Sequence, residues 1–136
     1  MTSMRRPAIV VGVIRLSEDE FEALVEKAID SLPTEFERRL ENVVIDIDDL
    51  PDRRTARELG LRNRRSLLGL YHGVPLTQRS VEHSGRLPDR ITIYKQNIEA
   101  CCSSRDEVVE QVRTTVLHEV GHHFGLDEGD LRAKGY

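Results

Sequence analysis

Apolar positions recur along this chain in two rhythms, one near 3.6 residues and one of two, and each rhythm marks a different kind of element. Ser17 followed by Glu20 forms a capping box, with Leu16 and Phe21 placed to close a hydrophobic staple around it. Phe21, Leu24, Val25, Ala28 and Ile29 then follow at helical spacing, which predicts a helix that Pro33 ends near Ser31. Residues 34–40 add a short helical turn. Val43-Val44-Ile45-Asp46-Ile47 predicts a strand closed by the turn-forming run Asp48-Asp49-Leu50-Pro51-Asp52. A second strand is expected from Leu67 to Gly73, and Ile91-Thr92-Ile93-Tyr94 alternates as a half-buried strand does. Ser104 and Glu107 repeat the capping box and open a second long helix, with Val108, Val109, Val112, Thr115 and Val116 as its buried stripe. That helix is expected to run to about Phe124, with Gly125 as its left-handed cap.

These elements divide the chain into an N-terminal extension over residues 1–16 and one domain over residues 17–136. Within the extension, Ile9-Val10-Val11-Gly12-Val13-Ile14 is β-branched and predicts a short strand. Residues 77–89 are polar and contain Gly85 and Pro88, the pattern of either a functional loop or a poorly ordered segment, in which His83 reads as exposed. A length of 136 residues with 38% hydrophobic positions suits a single core. With no Trp and 4% aromatic residues, that core is built from Val, Leu and Ile.

A net charge of −4 and a pI of about 5.7 argue against a role in coating nucleic acid, so no nucleic-acid partner is expected. The one basic stretch places six arginines between Arg53 and Arg65. It reads as a solvated loop or short helix, with a contact surface for an acidic partner as the alternative. Cys101 and Cys102 are adjacent, match neither a C-x-x-C pair nor a disulfide framework, and read as reduced thiols. The apolar run from Ala8 stops at Arg15 without a cleavage site, and no segment approaches the roughly 20 apolar residues of a membrane helix. A cytoplasmic location with no membrane partner is the expectation.

Chemistry is concentrated in His118-Glu119-Val120-Gly121-His122-His123-Phe124-Gly125-Leu126-Asp127-Glu128. On a helix, residues four apart project from one face, so the His118 and His122 imidazoles can grip a single metal ion, the HExxH zinc pattern. Glu119 is rotated by about a quarter-turn, close enough to reach a water activated by the ion without entering the ligand set, which suits a general base. A catalytic zinc needs three protein ligands and an open position. Gly125 permits the reversal that brings the next residues back, and Glu128 falls where HExxHxxGxxH has its last histidine; Asp127 is its rival as third ligand. His123 points off the ligand face and reads as a supporting or capping residue. The bland alternative is a pair of polar histidines meeting the negative pole of a helix end.

From about Leu67 to Leu131, and more loosely from Ser17, the chain resembles the minimal zincin-like metallopeptidases, small single-domain bacterial proteins with an HExxHxxGxx(D/E) motif. The likeness rests on Leu70-Tyr71-His72-Gly73-Val74-Pro75-Leu76, on Leu87-Pro88-Asp89-Arg90-Ile91-Thr92-Ile93-Tyr94, and on the histidine segment through Gly125. It implies an α/β (α+β) zincin-like domain in which a small mixed sheet packs on the N-terminal helix and the active-site helix. It also implies Zn2+, one per chain, with His118 and His122 as ligands, Glu119 as catalytic base, and Glu128 or Asp127 as third ligand. The strand Ile91 to Tyr94 would then be an edge along which a peptide or protein substrate docks. The expected activity is zinc-dependent hydrolysis of peptide bonds. Met1 and Met4 are the only methionines, so the methionine floor of larger metzincins is missing, and neither a pro-segment nor a second subdomain is expected.

Tyr71, His72, Tyr94 and Tyr136 are candidate donors to the oxyanion of such a reaction. Two other readings compete. One is a non-catalytic zinc-binding or peptide-binding protein on the same scaffold, which gives Glu119 no work. The other is metal-dependent RNA hydrolysis, which the net charge opposes and only the arginine run favours.

Overall fold

The first capping box forms as its sequence predicts: Ser17 Oγ accepts the Glu20 N–H at 3.1 Å, and Glu20 Oε1 accepts the Ser17 N–H at 2.9 Å. It starts α1 (Glu18–Asp30), whose buried face is Phe21, Val25 and Ala28. This computed structural model describes residues 13–73 and 88–136. Most of the expected N-terminal strand, the polar loop up to residue 87, and His83 lie outside the described residues. Val13 and Ile14 are described and are not in a strand; the Ile14 N–H instead donates to the Cys102 carbonyl at 3.0 Å. Two residues on, the Leu16 N–H donates to Oε2 of the buried Glu99, so two long-range bonds fix the entry to α1.

After α2 (Thr34–Leu40), the chain forms β1 (Val43–Asp48), α3 (Arg53–Glu58), a 3₁₀ turn (Arg64–Ser66) and β2 (Gly69–His72). The arginine run is thus a short helix and a turn, with Arg54 paired to Glu58 and Arg64 Nε donating to the Pro51 carbonyl. Then follow β3 (Asp89–Tyr94), α4 (Lys95–Ala100), α5 (Arg105–His123) and α6 (Glu128–Ala133). Helix α4 carries no amphipathic signal strong enough to be predicted from the sequence.

The three strands form a sheet in the order β1-β3-β2, with β1 parallel and β2 antiparallel to β3. This corrects the expectation that Ile91 to Tyr94 is an edge: it is the centre of the sheet. The half-buried strand expected from the alternation is instead buried on both faces, with Thr92 and Tyr94 only 4% and 3% exposed. The described edge on the side of α5 is β2. Register places Ile45 and Tyr71 on either side of Ile91, and Ile47 and Gly69 on either side of Ile93. These side chains share the face that joins α1, α4 and α5 in one core, with Ile91, Ile93, Ile98, Val112 and Val116 fully buried. Cys102 lies in this core with its thiol raised to about 11 by burial, whereas Cys101 is exposed. The mixed sheet on an N-terminal and a long C-terminal helix is the α/β arrangement expected.

Candidate metal centre

Helix α5 sets the site. Ser104 Oγ accepts the Glu107 N–H to start it, and Val108, Val112, Val116, Leu117 and Val120 bury its inner face. That packing turns His118 and His122 to the same side, with ring centroids 6.1 Å apart. Phe124 caps the helix and Gly125, at φ 84°, takes the left-handed conformation that glycine adopts without strain. The Leu126 N–H then bonds back to the Gly121 carbonyl at 2.8 Å, and the chain folds onto α5 as α6.

The reversal separates the two candidate third ligands. Asp127 is the N-cap of α6, its Oδ1 accepting the Asp130 N–H at 2.8 Å while Asp130 returns a bond to the Asp127 N–H. Glu128 faces the histidines: its Oε1 lies 3.0 Å from His118 Nδ1 and 3.2 Å from His122 Nε2. These are close to the roughly 3.3 Å separations expected between donors on a tetrahedral ion with bonds of about 2.0–2.1 Å. Among the described residues no group of three or more His, Cys, Asp or Glu side chains is arranged to hold a metal ion as it stands. The chemistry of the donor set nevertheless fits zinc: two imidazoles and a carboxylate, with 28%, 46% and 50% of the side chains of His118, His122 and Glu128 exposed, leave room for further ligands. Each neutral imidazole can either donate its one N–H to that oxygen or turn a lone pair toward an ion, so the arrangement is compatible with a hydrogen-bonded cluster and with a metal ion.

Glu119 stands one residue away on α5 and turns toward β2. Its Oε1 accepts the backbone N–H of Tyr71 at 3.1 Å. Burial raises its carboxyl above the usual range, against the opposing pull of that hydrogen bond and of His122, His118 and His72. A carboxyl tuned in this direction is suited to accept and return a proton. The bond is made possible by register. The Tyr94 N–H donates to the Leu68 carbonyl, so residues 68, 70 and 72 bond toward β3 while Gly69 and Tyr71 turn their backbone groups away from it.

The remaining candidates divide. The Tyr71 ring stacks on His123 with centroids 3.9 Å apart, and its hydroxyl donates to Asp89 Oδ2 at 2.8 Å. His123 Nε2 is 3.8 Å from the same carboxylate, which gives this histidine a supporting place between α5 and the sheet. Tyr94 is buried, its hydroxyl raised by desolvation and then by Asp48 and Asp52, so it is a core residue and not an oxyanion donor. Tyr136 packs edge-on against Phe36 and bonds Glu35. His72 is exposed at the end of β2, near enough to Glu119 to act on its charge. The sequence reading missed the Tyr71 amide, because a backbone donor has no residue signature.

A mixed sheet packed on a histidine-bearing helix that reverses into a carboxylate makes an α/β domain with one candidate metal centre. The model of the zincin-like metallopeptidase family matches residues 40–136, and the chain belongs to that family. A conserved hypothetical protein from Thermo thermophilus has a similar fold, with a TM-score of 0.50 and 22% identity over 87% of this chain and 99% of its own. No curated protein matches. Zinc binding in general is what the family implies. No helix among the described residues is long and apolar enough to cross a membrane.

Proposed function

We propose that the protein is a zinc-dependent metallopeptidase in which His118, His122 and Glu128 hold one zinc ion and Glu119 acts as general base. The observation that carries this reading is the convergence of Glu128 Oε1 on both imidazoles, at 3.0 and 3.2 Å, beside a glutamate held by the edge strand. Asp127 is already committed to capping α6, which favours Glu128 as third ligand.

When bound, zinc would polarise the scissile carbonyl and lower the pKa of water to about 7. The Tyr71 N–H fixes Glu119 Oε1, which leaves Oε2 to take the proton of the attacking water and pass it to the leaving nitrogen. An extended peptide would dock beside the outward-turned backbone of Gly69 on β2, in place of the buried Ile91 to Tyr94 strand. A shallow cavity of about 200 Å³ lined by Leu67, Leu68, Thr115, His118 and Glu119 lies along that edge.

The test is zinc content and cleavage of a peptide library read by mass spectrometry. Glu119→Gln is expected to keep zinc at wild-type affinity and to lose at least 100-fold in cleavage, the lower range of general base contributions of about 10²–10⁴. His122→Ala is expected to lose both. Undiminished cleavage by Glu119→Gln would overturn the mechanism, and wild-type zinc affinity in His122→Ala would overturn the site.

A further inference from the structure

Glu128 is on a six-residue helix that nothing in its own sequence ties to the histidines. Its placement depends on how α6 seats against α5. Leu131, three residues after Glu128 and on the same face of α6, is fully buried. Directly opposite is Gly121, inside the histidine motif: a Cβ built there would stand 2.8 Å from Leu131 Cδ2, 3.3 Å from Cδ1 and 3.4 Å from Cγ. The absent side chain is therefore the space the leucine fills. Gly121 otherwise sits in the interior of α5, where glycine is destabilising by about 0.5–1 kcal/mol relative to alanine and no turn requires it. The Gly121 carbonyl also accepts the Leu126 N–H, so one residue both ends the reversal and receives the anchor of α6. The Tyr136 N–H donates to the Leu131 carbonyl at 2.9 Å, closing the far end of the same unit.

We propose that Gly121 and Leu131 are positioning residues that form a seat for α6 and thereby fix Glu128 on the His118 and His122 pair. An added methyl at residue 121 pushes Leu131 outward in a filled core, and the rigid turn of helix carries Glu128 with it. Residues that orient metal ligands in this way typically change metal affinity by about 10–100-fold when altered. The proposal rests on the reading of Glu128 as a zinc ligand, and the experiment separates the two.

The experiment is a competition titration of zinc on the whole chain, with a melting curve of each metal-free protein. Gly121→Ala is expected to bind zinc about 10-fold more weakly or worse while its metal-free melting temperature falls only modestly, since better helix propensity offsets part of the crowding. Leu131→Val, which removes the crowding δ-carbons and leaves α6 loosely seated, is expected to weaken zinc as well. Combined, the two restore volume, and the double variant is expected to bind zinc more tightly than Gly121→Ala alone. This rescue is a result that mere loss of stability would not give. Wild-type affinity in Gly121→Ala, or a double variant that binds zinc no more tightly than Gly121→Ala alone, would overturn the seat. Glu128→Gln is the control: if it lowers affinity while Gly121→Ala does not, the seat alone fails. If Glu128→Gln binds zinc as wild type does, the ligand reading fails and the seat falls with it. Should Gly121→Ala not fold, Leu131→Val decides, because it adds no atoms; unchanged zinc affinity there overturns the proposal.

Discussion

Glu20 and Glu119 carry the same carboxylate into opposite surroundings. Glu20 is exposed, yet its carboxyl is held down at about 2 by the Ser17 backbone N–H first, then by Arg105 and the Ser17 hydroxyl. Arg105 Nη2 reaches it at 2.5 Å, so this one residue caps α1 and ties it to the start of α5. A folded-state value below the ordinary 4.5 means the unfolded chain takes up the proton first as pH falls. The stabilisation is therefore complete above about 4.5 and disappears as pH drops toward about 2. Urea unfolding of wild type and Glu20→Gln should show wild type ahead at pH 7 and the gap closing across that window. A gap independent of pH would remove the charge from the explanation. Glu119 is moved the other way by burial, and its candidacy as a base is legible in the sequence only through its place in HExxH. The partner that orients it, the Tyr71 amide, is supplied by a strand 48 residues earlier.

At the scale of elements, α5 and β2 meet at a very short separation. A Cβ at Gly69 would lie 2.6 Å from Thr115 Cγ2 and 3.3 Å from the Thr92 carbonyl oxygen. Thr115 is not free to turn aside, because its hydroxyl donates to the Gln111 carbonyl at 2.8 Å and the residue is 7% exposed. Gly69→Ala should therefore destabilise the fold by about 1–3 kcal/mol, the usual cost of overpacking, in denaturant unfolding. Thr115→Ser removes the methyl in the way and should recover most of the loss. If Gly69→Ala unfolds at the wild-type midpoint, the approach of helix to strand is not tight. Asn97 guards the other end of β2: fully buried on α4, its Nδ2 donates to the carbonyls of Arg64 at 2.9 Å and Leu67 at 2.7 Å. The capping box of α1 and the Ser104 N-cap of α5 were legible in the sequence because every partner lies within four residues, although the Glu107 carboxylate accepts from the Ser103 N–H and hydroxyl and so does not complete the second box. Helix α4 and the Asn97 clamp were not, since their partners lie about 30 residues away.

For the molecule as a whole, the proposed zinc site would link metal to stability. A ligand that binds only the folded chain adds RT ln(1 + [L]/Kd), or about 2.7 kcal/mol at 100 times Kd. Zinc at that excess should raise the melting temperature of wild type by several degrees, leave His122→Ala unmoved, and be reversed by a chelator. A melting point indifferent to zinc in wild type would mean that the folded chain has no such site.

What the sequence determined by itself is whatever repeats or closes over a few residues: the two long helices, the β-branched strands, and the shared face of His118 and His122, which the helical pitch dictates. The third position was open between Asp127 and Glu128 because neighbouring acids after a glycine turn are alike in sequence. The tertiary structure gives the two candidates different surroundings, with Asp127 at the cap of α6 and Glu128 beside the histidines. It also decided strand order. Ile91 to Tyr94, an edge by the family resemblance, is the centre of the sheet, since which strands flank another is set by pairing across long loops. The helix that bears the motif was written locally; the edge and the carboxylate that surround it depend on which distant surfaces can pack together.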